Sequence, residues 1–283
     1  FDKSPTLDLS PLCHLSKLNA LHLGNNVELK FLSSLKHLQS LTLKGFKSTE
    51  SLSDISSQAK LTELTLDHCL STTDLCEIAR HRNLKKLTLN LGEPASSLSN
   101  IGRLPELTML SIFGDSVKDI RGLANAEKLT HLSLRMCDDT MDISAIGAMT
   151  QLTSLELEYA PLTSLSEIEK LTNLTDLTIA SCALDTKNLD ALKHMKKLTC
   201  LQLSRINELE NISALSHLPK LNKIRLDVFE QLVDLSPLST LNELKHVEFS
   251  DYNANLDLTP LSHLDIVYKE ADAEIIRFGS SQC

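Results

Sequence analysis

The chain has 283 residues, no Trp and only 4% aromatic residues, so any core it buries is built mainly from aliphatic side chains. A formal charge of −9 argues against a surface that tracks phosphates, which needs clustered Lys and Arg, and no nucleic-acid partner is expected. No stretch approaches the roughly 18 consecutive apolar residues of a membrane span, and no membrane partner is expected.

Taken in order, the chain rewrites one phrase. Leu18-Asn19-Ala20-Leu21-His22-Leu23 returns at Leu38 as Leu-Gln-Ser-Leu-Thr-Leu, then at Leu61, Leu84, Leu107, Leu129, Leu152, Leu174, Leu198, Leu221 and Leu244. The eleven copies are spaced 20 to 24 residues apart. The last two apolar positions of each copy lie two apart, so in an extended segment they point to one side and their neighbours to the other. A strand with one apolar edge cannot bury that edge alone, so the copies are expected to stack. With about 4.8 Å between neighbouring strands, eleven of them extend on the order of 50 Å.

This phrase and period resemble the leucine-rich repeat. The resemblance implies an α/β solenoid of about eleven repeats of 22–23 residues. It would have a curved parallel sheet on the concave side and short helices or 3₁₀ turns on the convex side. Three positions after the last leucine, the family places an inward Asn or Cys that satisfies backbone groups at the turn. Here that column reads Asn26, Phe46, Cys69, Gly92, Asp115, Cys137, Ala160, Cys182, Ile206, Phe229 and Tyr252. An irregular, apolar turn spine is therefore expected in place of a regular polar ladder.

The returning half of each repeat has its own phrase, as in Asp8-Leu9-Ser10-Pro11-Leu12, Asp119-Ile120-Arg121-Gly122-Leu123, Asp142-Ile143-Ser144, Asn211-Ile212-Ser213, Asp234-Leu235-Ser236-Pro237-Leu238 and Asp257-Leu258-Thr259-Pro260-Leu261. Ser or Thr before Pro predicts a helical turn whose first N–H groups are capped by the hydroxyl and whose first turn accepts Pro. Longer helices are predicted near Thr73–Arg80 and Lys187–Met195. Residues 1–263 read as one solenoid and residues 264–283 as a C-terminal cover or tail. The start at Phe1, inside a returning segment, gives the expectation of a chain cut from a longer polypeptide.

The seven cysteines lack paired spacing. Cys69, Cys137 and Cys182 share the inward turn column and read as buried, reduced thiols. Cys200, outward on a strand, and the terminal Cys283 are expected to be the most accessible. Unpaired thiols suit a reducing compartment, which predicts a cytoplasmic location.

Nothing in the chain matches a catalytic motif: there is no G-x-x-x-x-G-K-[ST], H-E-x-x-H, C-x-x-C or G-x-S-x-G. The acidic loop Asp138-Asp139-Thr140-Met141-Asp142 lacks the alternating oxygen ligands and turn Gly of a calcium loop. No enzymatic activity, cofactor or metal is predicted. The informative residues are the outward ones on the strands. Leu91, Phe113, Met136 and Tyr159 fall on successive rungs, with Arg135, Glu156 and Glu158 beside them. Aromatic residues, Met and Arg are enriched in the cores of protein interfaces, so these seven are the candidate partner-binding residues. Alternation alone leaves open whether the rim residues Leu91, Met136 and Tyr159 turn into the core. A second group, Lys223, Arg225 and Asp227 with Arg205, His246 and Glu248 nearby, mixes signs without an apolar centre and reads as solvated surface.

The pairing of L-x-x-L-x-L with D-[IL]-S-x-L resembles two bacterial groups. One is the C-terminal leucine-rich sensor of NACHT-type nucleotide-binding proteins of antiviral defence, relatives of NOD-like receptors. The other is the internalin-like proteins, which Asp234-Leu235-Ser236-Pro237-Leu238 matches closely. The first resemblance implies a sensor that binds a protein trigger or restrains an upstream NTPase domain of the same polypeptide, whose phosphate loop lies outside this chain. The second implies an exported adhesin or effector that binds a host protein. A regulatory subunit docking on an enzyme is the third function compatible with these repeats.

Overall fold

The computed structural model describes residues 7–24, 27–46, 55, 58–69, 75–91, 98–114, 117–137, 139–184, 189–206, 208–252, 256–262, 264, 267–269 and 274–276. For 91, 228, 251, 252, 267–269 and 274–276 it describes the backbone. Its contacts divide the chain into two units, Phe1–Ala145 and Ile146–Cys283.

In unit 1, β1 (Ala20–Leu23), β2 (Ser40–Lys44), β3 (Glu63–Cys69), β4 (Lys86–Leu91), β5 (Met109–Phe113) and β6 (His131–Arg135) pair in chain order, all parallel. Register places Leu41, Leu64, Leu87, Leu110 and Leu132 in one row. A second row holds Leu43, Leu66, Leu89, Ile112 and Leu134, and both rows are buried. Unit 2 repeats the plan with β7 (Ser154–Glu158), β8 (Asp176–Ala180), β9 (Cys200–Ser204), β10 (Lys223–Phe229) and β11 (His246–Tyr252). Beyond it β12 (Val267–Lys269) continues parallel to β11, and β13 (Glu274–Ile276) returns antiparallel to β12. Each fully buried Leu contributes roughly 1.5–3 kcal/mol, so these rows are what hold the rungs in register.

Among the described residues the returning segments are 3₁₀ turns of three to five residues, apart from the α-helical Ile55, and the two longer predicted helices are absent. The first region holds the turn Ile78–Arg80 and the second Asp190–His194, while residues 73–74 and 187–188 lie outside the described residues. The reason is the spacing of the apolar side chains. Leu189, Leu192, Met195 and Leu198 recur every third residue, and the amides of Leu192, Met195 and Leu198 each donate to the carbonyl three residues back at 2.8–3.0 Å. With three residues per turn, a 3₁₀ helix stacks side chains at i and i+3 on one line. All four are buried; an α-helical twist would swing alternate members away from the core.

The caps also differ from the expected hydroxyls. In the D-[IL]-S phrase the carboxylate or amide oxygen accepts the amide two residues on: Asp119 from Arg121 at 2.7 Å, Asp142 from Ser144 at 3.0 Å, Asn211 from Ser213 at 2.7 Å and Asp234 from Ser236 at 2.8 Å. A side-chain oxygen three bonds beyond Cα reaches that amide, forming an Asx turn. The phrase Ser instead offers its carbonyl to a hydroxyl three residues on, as Ser236 O accepts from Ser239 at 2.7 Å and Ser213 O from Ser216 at 2.7 Å. The exception is Ser164, which makes a capping box with Glu167. Pro11, Pro237 and Pro260 do occupy the first turn, as predicted.

Two ladders tie rung to rung. At the strand entrance Thr62, Thr108 and Thr130 in unit 1, and Thr175 and Thr199 in unit 2, donate their hydroxyls to a carbonyl of the preceding rung at 3.0–3.2 Å. At the strand exit the expected inward column is buried at Phe46, Cys69, Cys137, Ala160, Cys182, Ile206 and Phe229. It is not wholly apolar, because the thiols of Cys69 and Cys182 reach the carbonyls of Leu43 (3.4 Å) and Leu157 (3.6 Å). Burial pushes both thiols up from the ordinary range. Asn26, Gly92 and Asp115 of that column, together with Asp138 and Cys283, lie outside the described residues, as does the Tyr252 side chain.

Candidate functional site

Alternation along the strands leaves one face of each sheet outward. In unit 1 the outward side chains of β2 to β6 form two clear rows. Thr42, Thr65, Thr88, Ser111 and Ser133 make a floor of short hydroxyl groups, all half-exposed. One step along each strand toward its exit lies the row Lys44, Asp67, Asn90, Phe113 and Arg135. Asp67 binds Lys44 at 3.0 Å and accepts from Asn90 at 2.8 Å, and its carboxyl is held below the usual range by the Lys44 ammonium. His68 lies 3.0 Å from the same carboxylate. Beside this polar group Phe113 is 41% exposed and Met136 48% exposed. Arg135, the register partner of Phe113, is exposed as well.

In unit 2 Tyr159 is 42% exposed, and Glu156 and Glu158 are half-exposed on β7. The Tyr159 hydroxyl accepts a 3.0 Å hydrogen bond from the Arg205 guanidinium, two rungs further on. The group read as solvated surface is more ordered than that reading implied. Asp227 is buried among its neighbours, accepting from Arg225 Nε at 2.8 Å and Ser250 Oγ at 2.9 Å. Glu248 accepts from Lys223 at 2.8 Å and lies 3.6 Å from Arg225. The 46-residue separation hides the Arg205–Tyr159 contact from a local reading. Both residues occupy one column, however, and that column is the available signal.

The column at the strand exits has a property the sequence reading missed. Gly45, His68, Gly114, Met136, Tyr159, Ser181 and Arg205 all have positive φ, from 46° to 97°. The chain leaves these strands through a left-handed residue, except at His68, which lies within β3 at its register shift; this conformation suits Gly and costs an L side chain roughly 1–2 kcal/mol. This turn aims Met136 and Tyr159 outward rather than into the core. The backbone at 91 continues β4 opposite Cys69 with a register shift, and the Leu91 side chain lies outside the described residues.

Accessible thiols are distributed differently from expectation. Cys76, in the turn before Ile78–Arg80, is exposed and accepts from Asn100 at 2.8 Å. Cys200 is half-buried, and its thiol is pushed up first by burial and then by the Asp176 carboxylate. Among the described residues no helix is long and apolar enough to cross a membrane.

No protein-family model matches the chain, and neither does any curated protein. The likeness is to solved structures. An internalin, InlF, of Listeria monocytogenes superposes over 85% of this chain and 76% of its own, with a TM-score of 0.64 and 22% identity. Internalin C2 of the same organism covers 68% of this chain and 83% of its own, at TM-score 0.57 and 25% identity. A leucine-rich repeat protein of Leptospira interrogans covers 94% of this chain and 76% of its own, at 0.59 and 21%. The fold is a leucine-rich repeat solenoid. In such a solenoid the backbone is common to many proteins, and what differs is the set of outward side chains.

Proposed function

We propose that this solenoid is a non-catalytic recognition module that binds a protein through the outward faces of its strands. The observation that carries the reading is the left-handed column. Glycine fills it without strain at Gly45 and Gly114, yet the chain places Met136 and Tyr159 there and leaves both exposed. Strain of this kind, kept where it serves no packing, marks functional positions. Methionine, an aromatic ring and arginine are the groups that dominate interface energies.

The finer reading is the sensor region of a cytoplasmic bacterial NACHT-type receptor, with a protein trigger or the receptor's own upstream NTPase domain as partner. The repeat phrases and the free cysteines among the described residues support it. A second reading, an internalin-like protein that binds a host protein, draws support from the superposition on two internalins.

The test replaces Met136 and Tyr159 by Gly, which relieves the backbone while deleting the side chains. Stability should stay within about 1 kcal/mol, because lost strain offsets lost order. Cross-linking in cells followed by mass spectrometry should show a partner of the wild type whose capture falls at least tenfold. Unchanged capture by the double variant removes the proposed surface. The coding sequence ahead of Phe1 separates the finer readings: a G-K-[ST] phosphate loop favours the receptor and a signal peptide the internalin-like protein.

A further inference from the structure

The inner column of the convex turns contains an irregularity that recognition does not use. Its middle position is Leu35, Gln58, His81, Leu104 and Ala126 in unit 1, all buried. Gln58 and His81 therefore stand, on consecutive rungs, where the other rungs place an aliphatic group. Each is held by the rung before it. Gln58 Nε2 donates to Leu32 O, and His81 Nδ1 lies 3.3 Å from Gln58 O, a carbonyl to which only a protonated nitrogen can donate. That contact fixes the neutral tautomer and leaves the lone pair on Nε2. With His81 only 3% exposed, Nε2 is sealed from solvent and meets no hydrogen-bond partner among the described residues.

We propose that His81 and Gln58 form an acid-sensitive latch in unit 1, which releases the convex turns of the third and fourth repeats when the imidazole takes a second proton. A proton on Nε2 creates a buried cationic donor with nothing to donate to, and this costs far more than a neutral imidazole in the same place. The charged groups around it offer little relief. The Glu77 carboxylate acts on the ring from the same turn; it is ion-paired with Arg80 at 2.9 Å, and its Oε2 makes no hydrogen bond among the described residues. Burial outweighs the Glu77 carboxylate and keeps the imidazole below its ordinary range. The folded state thus binds fewer protons than the unfolded one. Stability is complete above the ordinary histidine value of 6.5 and falls as pH drops below it, until the lowered folded value is reached.

Hydrogen exchange followed by mass spectrometry at pH 7.5 and pH 5, corrected for intrinsic rates, reads this directly. In the wild type the amides of 58–61 and 75–84 should lose protection on acidification by up to about tenfold per pH unit. The equivalent turn at 189–198, which is aliphatic throughout its inner column, should not show this loss. His81→Leu, which restores the residue used at Leu35 and Leu104, should abolish the loss at 58–61 and 75–84. His81→Met, which copies the residue unit 2 uses at Met195, provides the same test if the leucine packs poorly. The latch is overturned if either variant loses protection with acid as the wild type does, or if the wild type loses it equally at 189–198. A titration of the His81 ring by NMR at or above the ordinary histidine value overturns it as well.

Discussion

Unit 2 fills the middle of its convex turns with Leu171, Met195, Leu218 and Leu241, all buried, while unit 1 places Gln58 and His81 in the same column. The outward faces diverge too. Unit 1 has a floor of Thr and Ser from which Phe113 and Met136 rise, whereas the corresponding row in unit 2 is Glu156, Thr178, Gln202, Arg225 and Glu248. There Lys223, Arg225, Asp227 and Glu248 bind one another. One backbone plan thus supports two chemistries. A face of short hydroxyls keeps large apolar groups accessible, while a face of paired charges spends its side chains on each other, and such pairs near the surface contribute little to stability. Polar groups are tolerated inside when the rung before supplies an acceptor, which Gln58 obtains and His81 obtains at one nitrogen of two.

The sharpest way to break this comparison lies in the turns themselves. A Cβ on Gly102 would sit 1.9 Å from Gly122 O, whereas one on Gly147 in unit 2 would meet a single carbonyl, Glu167 O, at 2.7 Å. Gly102→Ala should therefore destabilise by about 1–3 kcal/mol or more and Gly147→Ala by less, both read by urea denaturation. Equal losses would mean that the turns of unit 1 are no more tightly stacked. A smaller effect tests what the units share. Thr130→Val in unit 1 and Thr175→Val in unit 2 remove equivalent rung-to-rung donors, and each should cost about 0.5–1.5 kcal/mol. A loss confined to one unit would show that the ladder is not a common device.

Much of this architecture is legible in the sequence because a fixed period aligns residues in columns. Period two within the phrase identifies the buried leucines, and it correctly places Phe113 and Arg135 outward. It is silent on Met136 and Tyr159, which follow the strand, where alternation no longer holds. Their direction depends on a left-handed backbone, and the signal for it is the glycine at Gly45 and Gly114 in the same column. The 3₁₀ turns read as longer helices because polar residues fill the gaps between Leu189, Leu192, Met195 and Leu198. The spacing of three itself is in plain view. Ser attracts the capping role by its place before Pro, although the amide that is capped is that Ser's own, and the Asp or Asn two residues earlier accepts it. Contacts such as Arg205 to Tyr159 need a long side chain crossing two rungs, roughly 10 Å of sheet. No local pattern reports that.

The central claim is that the rungs hide their aliphatic columns and present the strand-exit side chains to a partner. The methionines test it most directly. Met136 is 48% exposed, whereas Met141, Met149 and Met195 are buried. Under dilute peroxide, with peptides quantified by mass spectrometry, Met136 should reach the sulfoxide first, while Met149 and Met195 stay reduced until the protein unfolds. Oxidation of Met149 or Met195 in the folded protein at the rate of Met136 would contradict the inside and outside assigned to every repeat.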